Sequence, residues 1–201
     1  MGTASIQFVA FGLAVAMISN FSRSALWRSL VLFTASIVFI GLVEHQPITI
    51  LLLIGFLLLG YTGLTLLQRN MTRSLASVII TVVFVYVWLK KYSFLPDSIF
   101  LPSPYSTLGI SYIFFRVLHL LIEARDGGKA GDVRLGAYLL YTLNFTTFIS
   151  GPIQRYEEFA RDQFTCEPLP LGLPVVGAQI ERIVRGFFKV NILAMVFEMV
   201  Q

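Results

Sequence analysis

Charge is scarce in this 201-residue chain: Asp, Glu, Lys and Arg make up 13% of it, about half of what a soluble domain carries. So little charge cannot coat a water-soluble globule of this size, which excludes an ordinary cytosolic enzyme. Cysteine is rarer still. Cys166 stands alone, so neither an internal disulfide nor a thiolate metal cluster can be built from it. The two histidines, His45 and His119, lie far apart, and no His/Cys group has metal-ligand spacing. No Ser or Cys stands in a nucleophile elbow. No glycine loop precedes a Lys-Ser/Thr pair, and Gly127-Gly128-Lys129 is only a turn. The net charge of +4 is small and scattered, which excludes nucleic acid as an expected partner.

What is present is apolar mass. Hydrophobic residues make up 56% of the chain and the mean hydropathy is +0.78, the profile of an integral membrane protein. The charge is uneven. Residues 1–89 carry four basic residues, Arg23, Arg28, Arg69 and Arg73, and one acid, Glu44; residues 90–201 carry eleven basic and ten acidic residues. A single transmembrane region over 1–201 is expected, with 1–89 as hydrophobic scaffold and 90–201 bearing the chemistry.

A membrane-spanning helix needs roughly 20 mainly apolar residues. Apolar segments run over residues 6–18, 24–43, 48–67 and 74–89, the last β-branched and short for a full span. Helix is expected even there, because the edge of an open sheet leaves amides without partners in lipid. The first segment has Ala14-Val15-Ala16, which fits a cleavage pattern, but no Lys or Arg precedes it. A retained span is therefore expected rather than a cleaved signal. The basic loops at Arg23/Arg28 and Arg69/Arg73 belong in the cytoplasm by the positive-inside rule. Strict alternation then places Lys90-Lys91 outside, against that rule.

Pro96, Pro102 and Pro104 interrupt the next apolar stretch, residues 93–101, and forbid a regular helix there. Two readings stand: a re-entrant or interfacial piece lining a cavity, or a surface loop with apolar anchors. A fifth helix is expected over 108–122 and a sixth over 135–150, with a polar Gly-rich turn between them. Residues 151–174 read as a long polar segment. A last helix is expected from about Val176 to the end, starting at the membrane interface and diving into the bilayer. The fold class is all-α: a polytopic helical bundle of about six to seven helices.

The fifth helix carries the most informative side chains. Tyr112, Arg116, His119 and Glu123 are spaced i, i+4, i+7, i+11, within about 60° of one another on one stripe. Ionisable groups at membrane depth face a bundle interior or a cavity. The stripe is either a polar wall of a substrate passage or an intrahelical ion pair that locks packing. His45, beside Pro47, reads as a loop histidine.

Leu108-Gly109-Ile110-Ser111-Tyr112, Phe114-Phe115-Arg116 and Leu121-Ile122-Glu123 through Gly127 resemble the stretch LGISF…F…L-I-D-x-x-x-G of the membrane-bound O-acyltransferase (MBOAT) family. The branch concerned includes alginate O-acetylation proteins and the D-alanyl transfer protein of teichoic acid synthesis. Residues 148–159, with Gly151, Pro152, Arg155 and Tyr156, are similar to that family's F-P-x-x-x-A-G-P-I-x-R-Y-x-x-F signature. Arg182-Ile183 with Gly186, Phe188 and Lys189 is similar to its R-I-x-x-G-x-F-K-K segment. The departures are Thr107, Ser150 and Val190, where Pro, Ala and a second Lys are common.

The resemblance implies a multi-helix membrane enzyme that moves an acyl group, acetyl for example, from an activated donor onto a hydroxyl of a polysaccharide or cell-envelope glycan. It implies no tightly bound cofactor. The donor is an acyl-CoA or a carrier-linked acyl group; the partners are the lipid bilayer and acyl-carrier or polysaccharide-export proteins; the place is a bacterial plasma membrane. The family's base is a histidine downstream of the R-I-x-x-G-x-F-K segment, beyond residue 201, so the role does not pass to His119 and no catalytic residue is assigned. The chain is expected to be an N-terminal portion, inactive alone. The rival reading is a non-catalytic membrane transport or assembly protein, and His119 as the base of a reduced enzyme ranks below both.

Overall fold

The computed structural model describes residues 6–69, 75–91, 109–125, 133–148, 154–165 and 172–189. Every regular element among them is helical. In chain order these are α1 (Ile6–Ser19), α2 (Ala25–Val43), α3 (Pro47–Gln68), α4 (Leu75–Lys90), α5 (Ile110–Arg125), α6 (Leu135–Thr142), a 3-10 turn (Phe145–Thr147), α7 (Tyr156–Ala160) running into a π-helical turn (Arg161–Thr165), and α8 (Leu173–Phe188).

The first four helices fall where the apolar segments end. Arg23 and Ser24 precede α2, Pro47 opens α3 at its first position, and Lys90 closes α4. Proline is tolerated there because the first-turn N–H has no intrahelical acceptor. Among the described residues α2 and α3, at 19 and 22 residues, are the helices long and apolar enough to cross a membrane. The fourth helix is short, as its sequence indicated, at 16 residues.

The chain divides into two compact units, residues 24–166 and a second made of 1–23 with 167–201. The larger unit holds α2 to α7. Its centre is α5, which packs against α3, α4 and α6, while α3 also packs on α4. The core is built from Ile110, Ile113, Val117, Leu120 and Leu121 of α5 against Phe56 and Leu64 of α3 and Val82 of α4. Gly60 allows the close approach of α3: a Cβ there would sit 2.5 Å from the Tyr138 hydroxyl and 2.7 Å from Val117. The Tyr138 hydroxyl uses that space to donate to the Leu57 carbonyl at 2.9 Å. Between α2, α3 and α6 lies a groove of about 430 Å³. Tyr138 brings the one hydroxyl to its lining, and that hydroxyl is already committed to Leu57. The smaller unit holds α1 and α8, and no residue of α1 is buried.

Two expectations are corrected. The sixth helix stops at Thr142 rather than Ser150. There the Asn144 carboxamide accepts from the Thr146 amide at 3.2 Å and from the Thr146 hydroxyl at 2.9 Å, a local bond that competes with continued helix. The segment 151–174, read as one long polar segment with no helix assigned to it, contains α7. Glu157 and Glu158 occupy its first turn, where carboxylates suit the helix dipole, and Tyr156 and Phe159 are buried one turn apart. The last helix begins at Leu173, on Pro174 in its first turn. Eight helices are thus present among the described residues, against the six to seven expected. The Pro-interrupted stretch, the turn at Gly127, and Gly151 with Pro152 lie outside the described residues.

Candidate functional site

Gly109 starts α5 with φ of +74°, a conformation only glycine adopts cheaply. Its carbonyl accepts the amides of Tyr112 and Ile113 at 3.0 and 3.1 Å. A Cβ at Gly109 would lie 2.6 Å from the Phe148 carbonyl oxygen. The first and second motifs therefore meet here, glycine of one against phenylalanine of the other. Phe148 in turn packs edge-on against Phe39 of α2 at 6.3 Å. Ser111 is tied to α4 by a 3.1 Å hydrogen bond with the Tyr86 hydroxyl, and the Tyr86 ring stacks on Phe114 at 4.0 Å.

Two turns into α5, Arg116 is buried, with 3% of its surface exposed. Its guanidinium is aimed at the end of α6. Nη1 donates to the carbonyls of Tyr141 at 2.9 Å and Thr142 at 3.3 Å, and Nη2 donates to the Thr147 hydroxyl. The last carbonyls of a helix have no intrahelical partner and carry the negative end of its dipole. Arg116 supplies both the donors and the charge, and its guanidinium also lies over the Tyr141 ring at 5.7 Å. Tyr141 extends the network. Its hydroxyl donates to the Gln154 carbonyl at 2.7 Å, and its ring packs edge-on against Tyr156 at 5.5 Å.

His119 and Glu123 continue the stripe toward the end of α5. His119 Nδ1 stands 3.6 Å from Glu123 Oε1, and both side chains are partly exposed. That is an ion-pair distance but too long for a hydrogen bond. Three buried polar atoms on this stripe have no hydrogen-bond partner among the described residues: Arg116 Nε, His119 Nδ1 and Glu123 Oε2. Unsatisfied buried polar atoms are costly and call for an explanation. Tyr112 is half-buried on the same side.

The structure thus brings together Gly109, Ser111, Tyr112, Arg116, His119 and Glu123 on α5 with Tyr156 beyond α6. Arg155 is exposed at the start of α7. Gly186 lies in α8 and Lys189 caps its C-terminal end, both in the other unit. The stripe, read as either a passage wall or an intrahelical ion pair, divides in the structure: Arg116 is a clamp on α6, and His119 with Glu123 is a loose i, i+4 pair. The sequence reading missed Tyr141, Thr142 and Thr147, the acceptors of the clamp. The Thr147 hydroxyl was the available signal, since a buried polar group needs a partner; Tyr141 and Thr142 accept through backbone carbonyls, which no side chain announces. Among the described residues no group of three or more His, Cys, Asp or Glu could hold a metal ion.

Three curated relatives match parts of the chain. A teichoic acid D-alanyltransferase of Streptococcus thermophilus is 36% identical over 90 residues, which is 45% of this chain and 21% of that protein. The chain is similar to teichoic acid D-alanyltransferases. The Bacillus subtilis enzyme of that name is 45% identical over 58 residues, 29% of this chain and 15% of that protein. The one from Lacticaseibacillus rhamnosus is 34% identical over 90 residues, 45% of this chain and 22% of that protein. The chain spans about a fifth or less of the length of these relatives. No family model matches the chain, and no solved structure matches it.

Proposed function

We propose that this chain forms part of the membrane domain of an O-acyltransferase that esterifies hydroxyls of a cell-envelope glycan. The observation that carries this reading is the 34–45% identity to three teichoic acid D-alanyltransferases. The packing of Gly109 against Phe148 supports it, because two of the three motifs that resemble membrane-bound O-acyltransferases meet in one core. The relatives favour a D-alanyl group over the acetyl group that the resemblance left open. In the reaction the acceptor oxygen bonds to the acyl carbon, the donor's thioester C–S bond breaks, and the hydroxyl proton ends on the departing thiol. The donor is an acyl group on CoA or on a carrier protein, and the setting is a bacterial plasma membrane.

Within that enzyme α5 supplies two things. Arg116 fixes the end of α6, and His119, Glu123 and Tyr112 line the route of a polar substrate. The spare polar atoms of the stripe suit hydroxyl-bearing groups, which both donate and accept hydrogen bonds. The apolar groove between α2, α3 and α6 offers such a substrate nothing.

The test is the acyl content of the source cell's envelope. Disrupting the coding sequence should remove base-labile D-alanine from the envelope glycans, and restoring it should bring the ester back. Unchanged ester content overturns the reading. A fall in the amount of glycan, with its acylation intact, would instead favour a transport or assembly role.

A further inference from the structure

We infer that α8 lies in the plane of the membrane and binds the headgroups of an anionic lipid leaflet. This goes beyond the transferase reading and stands without it, since it concerns α8 alone.

The argument starts from the order of residues in Leu173–Phe188. At 100° per residue, Leu173, Val176, Ile180, Ile183, Val184 and Phe188 fall on one arc of about 140°. Glu181, Arg182, Arg185, Lys189 and Gln179 fall on the other. Among the described residues most of the apolar arc is open: Ile180 is 51%, Val184 61% and Phe188 49% exposed, and Val176 is half-buried. An exposed apolar stripe of this regularity marks an interaction surface. No residue from Gly177 to Gly186 is buried.

The polar arc identifies the partner. It holds three cations and one carboxylate. Glu181 is paired with Arg185 at 2.5 Å, one turn apart, so Arg182 and Lys189 add their charge beyond a neutralised pair. Apolar residues on one side and a cationic excess on the other describe a helix that floats at the headgroup boundary of an anionic bilayer. A protein groove would complement the apolar arc but leave the cations without a matching field. A span is excluded for this segment by its own face, since four charges within nine residues, 181–189, cannot be carried through hydrocarbon cheaply.

The test is a cysteine scan on the full chain with Cys166→Ser as background, in vesicles of phosphatidylglycerol and phosphatidylcholine. Spin labels are placed at Gln179, Ile180, Arg182, Ile183 and Val184, all exposed positions, so the chain should tolerate them. Collision with oxygen, which partitions into lipid, is compared with collision with a water-soluble nickel chelate. The expected result is an alternation at helical period, with Ile180, Ile183 and Val184 immersed to a common depth of about 5–10 Å. The pair of reversals Arg182→Glu and Lys189→Glu should reduce the preference of the Ile180, Ile183 and Val184 labels for phosphatidylglycerol over phosphatidylcholine by at least about fivefold per cation lost. Three results would overturn the inference. Low collision with both reagents means that protein covers the face, whether another segment or a second copy. Nickel access on every side means water. A depth that grows steadily from Gln179 to Val184 means insertion across the bilayer. Immersion that survives without phosphatidylglycerol and after charge reversal would remove the anionic requirement.

Discussion

Arg116 is the side chain on which the polar contacts of the larger unit converge. It is buried, charged and bonded to three acceptors at the end of α6. Taking away one side of a buried charged network leaves the other side unsatisfied, and that residual cost exceeds the worth of the bonds themselves. Arg116→Ala should therefore destabilise the unit by about 2–4 kcal/mol. Arg116→Lys keeps the charge but not the planar fork, and should recover part of that loss. Thermal unfolding of the detergent-solubilised chain measures both; equal stability of the three proteins would show that the clamp carries no load. Gly60 offers a second test with an internal control. An alanine there must displace the Tyr138 hydroxyl and Val117, at a cost of about 1–3 kcal/mol. Gly55, in the same helix, has nothing within 4 Å of its added Cβ. Gly55→Ala should instead gain about 0.5–1 kcal/mol from lost backbone freedom in the unfolded chain. The two substitutions are chemically identical and should move the same unfolding midpoint in opposite directions.

Elements differ in how plainly the sequence announces them. The first four helices were legible because length and apolar content decide them: each is a long apolar run, and α2, α3 and α4 end at Glu44, Arg69 and Lys90. The fifth was legible from Gly109 and the apolar residues around the stripe. The sixth was legible at its start, Leu135, but not at its end, because that boundary is set by Asn144 competing for the Thr146 amide and by Arg116, more than twenty residues upstream, taking its last carbonyls. Hydrophobic pattern is blind to both. The seventh was missed for the opposite reason. It is five residues long, too short to show a period, and its signal lay only in two leading glutamates and the Tyr156–Phe159 spacing. The candidate site divides likewise. Its ionisable members could be named from spacing, but their acceptors on α6 required the fold. If Asn144 sets the end of α6, Asn144→Ala should cost about 1 kcal/mol, as loss of a capping acceptor does. Hydrogen exchange should then quicken at the Thr146 and Thr147 amides while those of α3 stay protected; unaltered exchange at Thr146 would remove Asn144 from the account.

At the scale of the molecule the decisive question is how the larger unit meets the bilayer, and α3 answers it most directly. Its 22 residues rise about 33 Å, against a hydrocarbon core of about 30 Å. Its ends are marked. His45 is exposed in the three-residue turn from α2, and Arg69 is exposed at the far end. The exposed flanks of α2 and α3 are apolar, as at Leu30, Ile37, Leu51 and Leu58, which suits lipid and not water. A helix of this length in a soluble core would also be apolar, so composition alone does not decide between the two. Sidedness does. With Cys166→Ser as background, single cysteines at His45 and Arg69 should react with a membrane-impermeant thiol reagent from opposite faces of sealed vesicles. The Arg69 site should be the cytoplasmic one, because the basic loop is retained inside. Labelling of both sites from one face would mean that α3 does not span. Because α5 and α6 pack directly on α3, the Arg116 clamp and the His119–Glu123 pair would then lose their membrane setting, and the substrate route drawn along α5 would fall with it.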